Sequence, residues 1–317
     1  MFLIYNMELS DYLPYISFMI LFLFVVLIVF NITNRRTYIC SILDDYKPEK
    51  DLTSNELDDV LMNDMFVKSS YNCCCIGGVK NDYVDLCALK FCFKSNIRCL
   101  DFQIFSLNEE PIIAASSNKS FEYKEIYNYL SLGRTLIEVN QLFCNKYQVN
   151  SNINAPLFLN FRINSNNKAI FDKIYKYISN TFTDTFNLLI PDGRKLLKDY
   201  TFKELHNKVI IMVDIGESVG NKITFENSLL SDITFVKFGL TNTSTRASDA
   251  TMDTTGEISC IYPNIHPYAK NYDSLKGFDK KFNFIFMNQQ TYDPFIIEYR
   301  KVFKLSSFLP MNKYVKI

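Results

Sequence analysis

The chain has 317 residues, and 34 Lys and Arg balance 34 Asp and Glu to a formal net charge of zero. With no basic run beyond residues 35–50, it lacks the electrostatic footprint of a nucleic-acid binder. The part beyond the first forty residues is long enough for one large domain. There is no Trp, and the abundance of Asn, Lys, Ile, Phe and Tyr reflects an AT-rich genome more than a function.

From Leu13 to Ile32 the sequence LPYISFMILFLFVVLIVFNI carries no charge. A helix of about 20 apolar residues crosses a bilayer core of about 30 Å. The run is apolar all round, whereas a core helix keeps a polar stripe. Glu8 and Asp11 precede it, no Lys or Arg does, and no A-x-A site follows, so it does not read as a cleaved signal peptide. The expected order is a short segment 1–12, a retained anchor 13–32, and a polar linker 33–64 with at most one short helix. Arg35 and Arg36, with Lys47 and Lys50 behind them, put the N-terminus outside and the main domain in the cytosol. Nine cysteines, three of them adjacent at Cys73, Cys74 and Cys75, suit free thiols better than a disulfide framework. The sequons at Asn118 and Asn242 are then unused.

From Met65 onward strands and helices alternate. MFVKSS (65–70) predicts a strand, and the spacing of Val84, Ala88 and Phe91 predicts a helix capped by Asn81 or Asp82. RCLDFQIF (98–105) alternates as a strand, PIIAAS follows as another, and Thr135–Tyr147 reads as a helix. PLFLNFRI (156–163) is a strand with Asn160 and Arg162 on one face, and Ile170, Ile174 and Ile178 mark a helix. KVIIMVDI (208–215) reads as a buried parallel strand. The rhythm fails over 216–257, where the Ser/Thr-rich TNTSTRASDATMDTTGE predicts a surface loop. It resumes with ISCIYP, FNFIFMN, a helix near 294–302 and a last strand at SSFLP. The alternation predicts an α/β chain, either a βα barrel or a doubly wound sheet. No glycine-rich phosphate loop follows any strand.

The succession of strand ends resembles a phosphatidylinositol-specific phospholipase C. KSSYNCC at 68–74 is similar to that family's S-S-H-N-T-Y. IRCLDFQIFSLNEEPIIAASS at 97–117 is similar to R-C-L-E-L-D-x-W…E-P-[IV]-[IV]-x-H-G, and APLFLNFRINS at 155–165 to P-[VI]-I-L-S-L-E-N-H. CIYPN, KNYDS and FNFIFMNQQTYDP resemble the second half, [IV]-Y-P…N-Y-x-P…[LM]-N-[FY]-Q-[TL]-x-D. The resemblance covers about residues 65–311, and it is closest to divergent relatives encoded by large DNA viruses. It implies a distorted TIM-type (βα)8 barrel over 65–317, with an X-like half at 65–215, a loop at 216–257 and a Y-like half at 258–311.

The family's chemistry needs a base for the inositol 2-hydroxyl, an acid for the leaving alkoxide and a cation for the phosphate charge. At its two histidine positions this chain has Tyr71 and Ala115. A Tyr of ordinary pKa, about 10, is a poor base at neutral pH, and Ala has no proton to give. The calcium-ligand positions hold Asn72, Asp101, Gln103 and Arg162, and a permanent cation at Arg162 leaves a calcium site of the family type unexpected. The phosphate-gripping positions hold Met212, Asp214 and Cys260, and only Tyr262 persists as a ring to pack on a sugar. Arg162 has two readings, binding of an anionic head group or pairing with Asp101, and pairing is preferred. Of the two histidines, His206 lies at the non-catalytic end and His266 at the catalytic end.

The expectation is a membrane-anchored, phospholipase-C-like barrel without catalysis or cofactor, acting in binding or scaffolding. Its partners are a membrane through Leu13–Ile32 and anionic phospholipid head groups, with no nucleic acid. Two alternatives stay open: a phosphodiesterase with rearranged catalytic residues, and a structural membrane protein of a virion.

Overall fold

The computed structural model describes residues 9–49, 55–118, 124–144, 154–165, 167–182, 187–216, 219–251 and 256–315. Parts of three expectations lie outside them: residues 1–8 of the N-terminal segment, 50–54 of the linker and 252–255 of the Ser/Thr-rich stretch. Residues 145–147, at the end of one expected helix, lie outside them too. The chain divides into two units, Met1–Ile42 and Leu43–Ile317.

Helix α1 runs Leu9–Asp44. Within it the stretch Tyr12–Asp44 is the one helix among the described residues long and apolar enough to cross a membrane. Its large side chains, Phe18, Phe22 and Phe24 among them, are exposed on every side. Thr33 and Ser41 turn their hydroxyls back onto the carbonyls of Val29 and Tyr38, at 2.9 and 2.8 Å, so neither leaves a donor facing outward.

The second unit is built on eight parallel strands: β1 (Met65–Ser70), β2 (Cys99–Leu107), β3 (Leu157–Ile163), β4 (Lys208–Asp214), β5 (Thr234–Phe238), β6 (Thr243–Arg246), β7 (Ser259–Tyr262) and β8 (Phe284–Met287). Each pairs with the next, and β8 returns to β1 through Val67↔Phe284 and Ser70↔Met287. The seam between β5 and β6 is held by a single bridge, Phe238↔Asn242. There the Asn242 carboxamide accepts from the Lys237 N–H and donates to the Ile258 carbonyl, each at 3.2 Å. The result is a nearly closed barrel, with the distortion concentrated at that seam. A further distortion comes from Phe308–Pro310, which pairs antiparallel with the start of β1.

Period-two alternation sends one set of side chains inward. Val67, Cys99, Phe158, Ile210, Met212, Cys260, Phe284 and Phe286 fill the barrel. The outer faces of β2 to β4 pack on α2 (Leu86–Lys94), α3 (Leu132–Cys144), α4 (Ala169–Phe182) and α5 (Val219–Glu226). In α4 the buried Ile170, Ile174, Ile178 and Phe182 recur every four residues, as one helix face requires. The short α6 (Leu229–Asp232) leads into β5. On the other side, α7 (Leu275–Asp279) and α8 (Pro294–Val302) cover β8. Gly277 of α7 lies so close to β8 that an added Cβ would stand 2.9 Å from Ile285.

Two expectations need correction. The first is the polar linker 33–64: α1 continues to Asp44, and residues 45–49 and 55–64 pack on the barrel. Glu49 donates its N–H to the Lys94 carbonyl at 2.7 Å, while its carboxylate pairs with Lys68 at 2.7 Å. Short 3-10 turns at Asn55–Leu57 and Met62–Asp64 join Leu197, Phe202 and Leu205 in closing the N-terminal end of the barrel. Charge made this segment look like a tether, but its few apolar residues are the ones that plug the barrel.

The second is the loop over 216–257, which contains α5, α6, β5 and β6. TSTR at 243–246 has a β-branched Thr at two of its four positions, but its polar composition hid the signal.

Candidate functional site at the barrel mouth

At the C-terminal mouth the inward-facing positions turn polar. Asp101 on β2 and Arg162 on β3 form a two-pronged ion pair, with Nε on Oδ1 and Nη2 on Oδ2, both at 2.8 Å. The Asp101 side chain is wholly buried and that of Arg162 is 6% exposed. The β2–β3 register places Asp101 opposite Asn160 and Gln103 opposite Arg162. The Asn160 amide donates to Asp101 Oδ1 at 2.8 Å and to the Tyr262 hydroxyl at 3.0 Å.

Just past β1, Asn72 adopts a left-handed backbone with φ of 46°, which Asn tolerates better than most residues. That turn aims its N–H at Asp101 Oδ2, at 2.9 Å, and its side-chain oxygen at Arg162 Nη2. Each Asp101 oxygen thus accepts two hydrogen bonds.

The guanidinium of Arg162 also lies 4.3 Å from the centre of the Tyr71 ring and donates to its hydroxyl at 3.1 Å. A second cation, Arg246 at the end of β6, donates to the same hydroxyl at 3.1 Å and to the Pro263 carbonyl at 2.8 Å. It stands 5.1 Å from the Tyr262 ring, which in turn stacks on Phe286 at 4.9 Å. Burial opposes the charge on Arg162, but Asp101 and the two tyrosines outweigh it and raise its pKa, so it is a fixed cation.

Asp214, at the end of β4 and paired in register with Arg162, completes the set. Burial pushes its carboxyl above the ordinary range, against the lowering effect of a hydrogen bond from the Gly216 N–H at 2.9 Å and of the two arginines. A carboxyl whose folded pKa is raised binds its proton more tightly folded than unfolded. Its stability cost is therefore absent below the unfolded pKa of about 3.9 and grows as pH rises toward the folded value. Asp214→Asn is expected to match the parent at acid pH and to exceed it in stability at neutral pH. Paired denaturation curves across pH 3–8 measure this; a variant less stable than the parent at pH 7 would show that the charged form is the favoured one.

Tyr71, Asn72, Asp101, Arg162 and Tyr262, all expected from sequence, come together here. Gln103 does not join them, because its side-chain oxygen accepts the Ser116 N–H at 3.2 Å and ties β2 to the segment after it. Ala115 is buried and contributes only its carbonyl, which accepts the Glu125 N–H at 2.9 Å. His206 lies 3.2 Å from Asp58 at the other end of the barrel, and His266 sits on the exposed rim. Two mouth residues were not singled out from sequence as part of this site: Asn160 had the inward strand period as a signal, and Arg246 lay in the stretch read as a loop. Asp214 was expected only as the occupant of a phosphate-gripping position. Among the described residues seven cysteines are free, and six of these are buried. Burial raises the thiols of Cys73, Cys75, Cys99 and Cys260 and pushes Cys92 up to about 12, so none of these is a ready nucleophile.

A calcium ion of the kind the resemblance implies needs several free carboxylate or carbonyl oxygens. The oxygens here do not fit one. Both Asp101 oxygens and the Asn72 oxygen are engaged by N–H donors, and a guanidinium fills the space between them.

No protein-family model matches the chain, and no curated protein matches it in sequence. Solved structures do. PLC21 of S. officinalis aligns over 84% of this chain at 16% identity, with a TM-score of 0.65. PLC21 of L. pealei aligns over 83% at 15% identity, also with a TM-score of 0.65. The chain spans 39% of the length of each of these two. A calcium-dependent phosphoinositol-specific phospholipase C from a Pseudomonas species aligns over 82% of this chain and 98% of its own, at 9% identity and a TM-score of 0.47. The second unit therefore shares the barrel fold of the two PLC21 structures.

Proposed function

We propose that this chain is a membrane-anchored, phospholipase-C-like barrel that does not hydrolyse phosphodiesters and serves in binding or scaffolding at a membrane. The Arg162–Asp101 pair carries the reading. It puts a fixed positive charge where the family's chemistry needs an exchangeable cation, and it consumes the carboxylate that would hold one. No calcium or other cofactor is part of the proposal. The positions of the acid and base, Ala115 and Tyr71, supply respectively no proton and a hydroxyl held by two guanidinium groups. Helix α1 is the anchor. Arg35 and Arg36 beside it support an N-terminus outside and a cytosolic barrel. The resemblance to virus-encoded relatives supports a virion or host membrane as the setting.

A second reading, a hydrolase with rearranged residues, is favoured by one observation: burial raises the pKa of Asp214, the direction a general acid requires.

The test is the full chain reconstituted into phosphatidylinositol vesicles, with release of inositol phosphate followed with and without calcium. A soluble glycerophosphodiester serves as second substrate. The expected result is no turnover above the vesicle blank. Calcium-dependent turnover lost in Asp101→Asn would overturn the proposal, and metal-independent turnover lost in Asp214→Asn would establish the second reading.

A further inference from the structure

The two arginines at the mouth are held in different ways. Arg162 grips both oxygens of Asp101, at 2.8 Å each. Among the described residues no carboxylate forms an ion pair with Arg246. Its guanidinium donates to two neutral oxygens, the Tyr71 hydroxyl at 3.1 Å and the Pro263 carbonyl at 2.8 Å. It also lies 5.8 Å from the Tyr71 ring centre and 5.1 Å from that of Tyr262. Burial opposes its charge, and so does the like charge of Arg162, while Tyr71 and Tyr262 keep it a cation with a raised pKa. A buried guanidinium without a counter-charge keeps much of its desolvation cost, which a step into water recovers.

The backbone that carries Arg246 is weakly fixed too. Every other strand of the barrel has buried residues, and β6 has none. It forms a ladder with β7 alone, because on the β5 side only the bridge Phe238↔Asn242 joins the two strands. The turn between β5 and β6 hangs on one acceptor. The N–H groups of Leu240, Thr241 and Asn242 all converge on the Lys237 carbonyl, at 3.1, 3.1 and 3.2 Å. A strand with one paired edge and little buried apolar surface belongs to the part of a fold that opens first.

We infer that Arg246 is a gate at the barrel mouth, moving between its closed position on Tyr71 and an outward one in solvent while Arg162 stays fixed. The gate deepens the proposed binding role and rests on it, because it sets access to the mouth. Opening breaks no ion pair. It gives up two hydrogen bonds, which water replaces on the guanidinium, and it uncovers the ring of Tyr262, which is 2% exposed when the gate is closed.

Acetylation of tyrosines by N-acetylimidazole reads the gate at Tyr262, with the full chain in phosphatidylcholine nanodiscs and the products mapped by peptide mass. Tyr268, 70% exposed, shows that the reagent reaches the rim, and the wholly buried Tyr299 reports any general unfolding. In the parent, Tyr262 is expected to react about ten-fold faster than Tyr299. In Arg246→Met an uncharged side chain of similar length has no reason to enter water, so Tyr262 is expected to react about ten-fold more slowly than in the parent. The same variant is expected to keep the parent's stability. Tyr262 as unreactive as Tyr299 in the parent, or a rate unchanged in Arg246→Met, would overturn the gate. A loss of stability as large as that of Arg162→Met would make Arg246 a strut and overturn it as well. A shut gate leaves a scaffolding role intact, whereas turnover in the hydrolysis assay would overturn the inactive barrel without touching this result.

Discussion

Arg162→Met is expected to destabilise the barrel by about 3–5 kcal/mol, because it leaves the wholly buried Asp101 carboxyl without its counter-charge. The remaining donors, the Asn72 N–H and the Asn160 amide, are neutral and offset only part of that cost. Chemical denaturation of the full chain in detergent measures the loss. The double variant Arg162→Met with Asp101→Asn is the informative companion. It removes both charges while keeping an oxygen for the Asn72 N–H, so much of the lost stability is expected to return. A double variant as unstable as Arg162→Met alone would mean that shape and ring packing, not the buried charge, dominate at the mouth.

The second large effect is expected far from the mouth. Lys68 points outward from β1, yet its side chain is 1% exposed, held by the Glu49 carboxylate and the Ser95 carbonyl, each at 2.7 Å. Tyr46 donates to the other Glu49 oxygen at 2.5 Å and sets its ring edge-on to Phe91 at 4.8 Å. The Asn96 amide donates to the Glu49 carbonyl at 2.7 Å. Glu49→Ala removes the counter-charge of a buried ammonium and is expected to cost about 1.5–3 kcal/mol, less than the mouth variant because Glu49 is 28% exposed. Lys68→Met in the same chain is expected to restore most of it, because a methionine fills the space without needing a partner. A Glu49→Ala protein with unchanged stability would show that residues 43–49 are an ornament on the barrel rather than part of it.

These two sites illustrate what the sequence makes legible. β1 and the helix at 294–302 are readable because their signals are local: alternation in MFVKSS, and an Asp293 cap that accepts the Ile296 N–H at 3.0 Å ahead of a proline at the first helical position. The mouth residues Asn72, Asp101, Arg162 and Tyr262 are readable because motifs in fixed order place them at strand ends. Pairing of Arg162 with Asp101 follows from their chemistry once both face one barrel.

By contrast, the bond from Glu49 to Lys68 spans 19 residues between a charged segment and a strand, and no pattern in either announces it. Arg246 hides for a different reason: its strand is four residues of Thr, Ser and Arg, so alternation carries no hydrophobic contrast. Gln103 was placed with the ligands because its position matches, but a side chain's direction depends on the neighbour it finds, and here that neighbour is the Ser116 N–H.

The claim at the centre is that a guanidinium has taken the place of an exchangeable cation at the barrel mouth. Calcium titration of the full chain in neutral nanodiscs, followed by calorimetry, tests it most directly. The expected result is no saturable binding at millimolar calcium in the parent, because no oxygen of Asp101 is free to coordinate. Saturable binding that disappears in Asp101→Asn would contradict it.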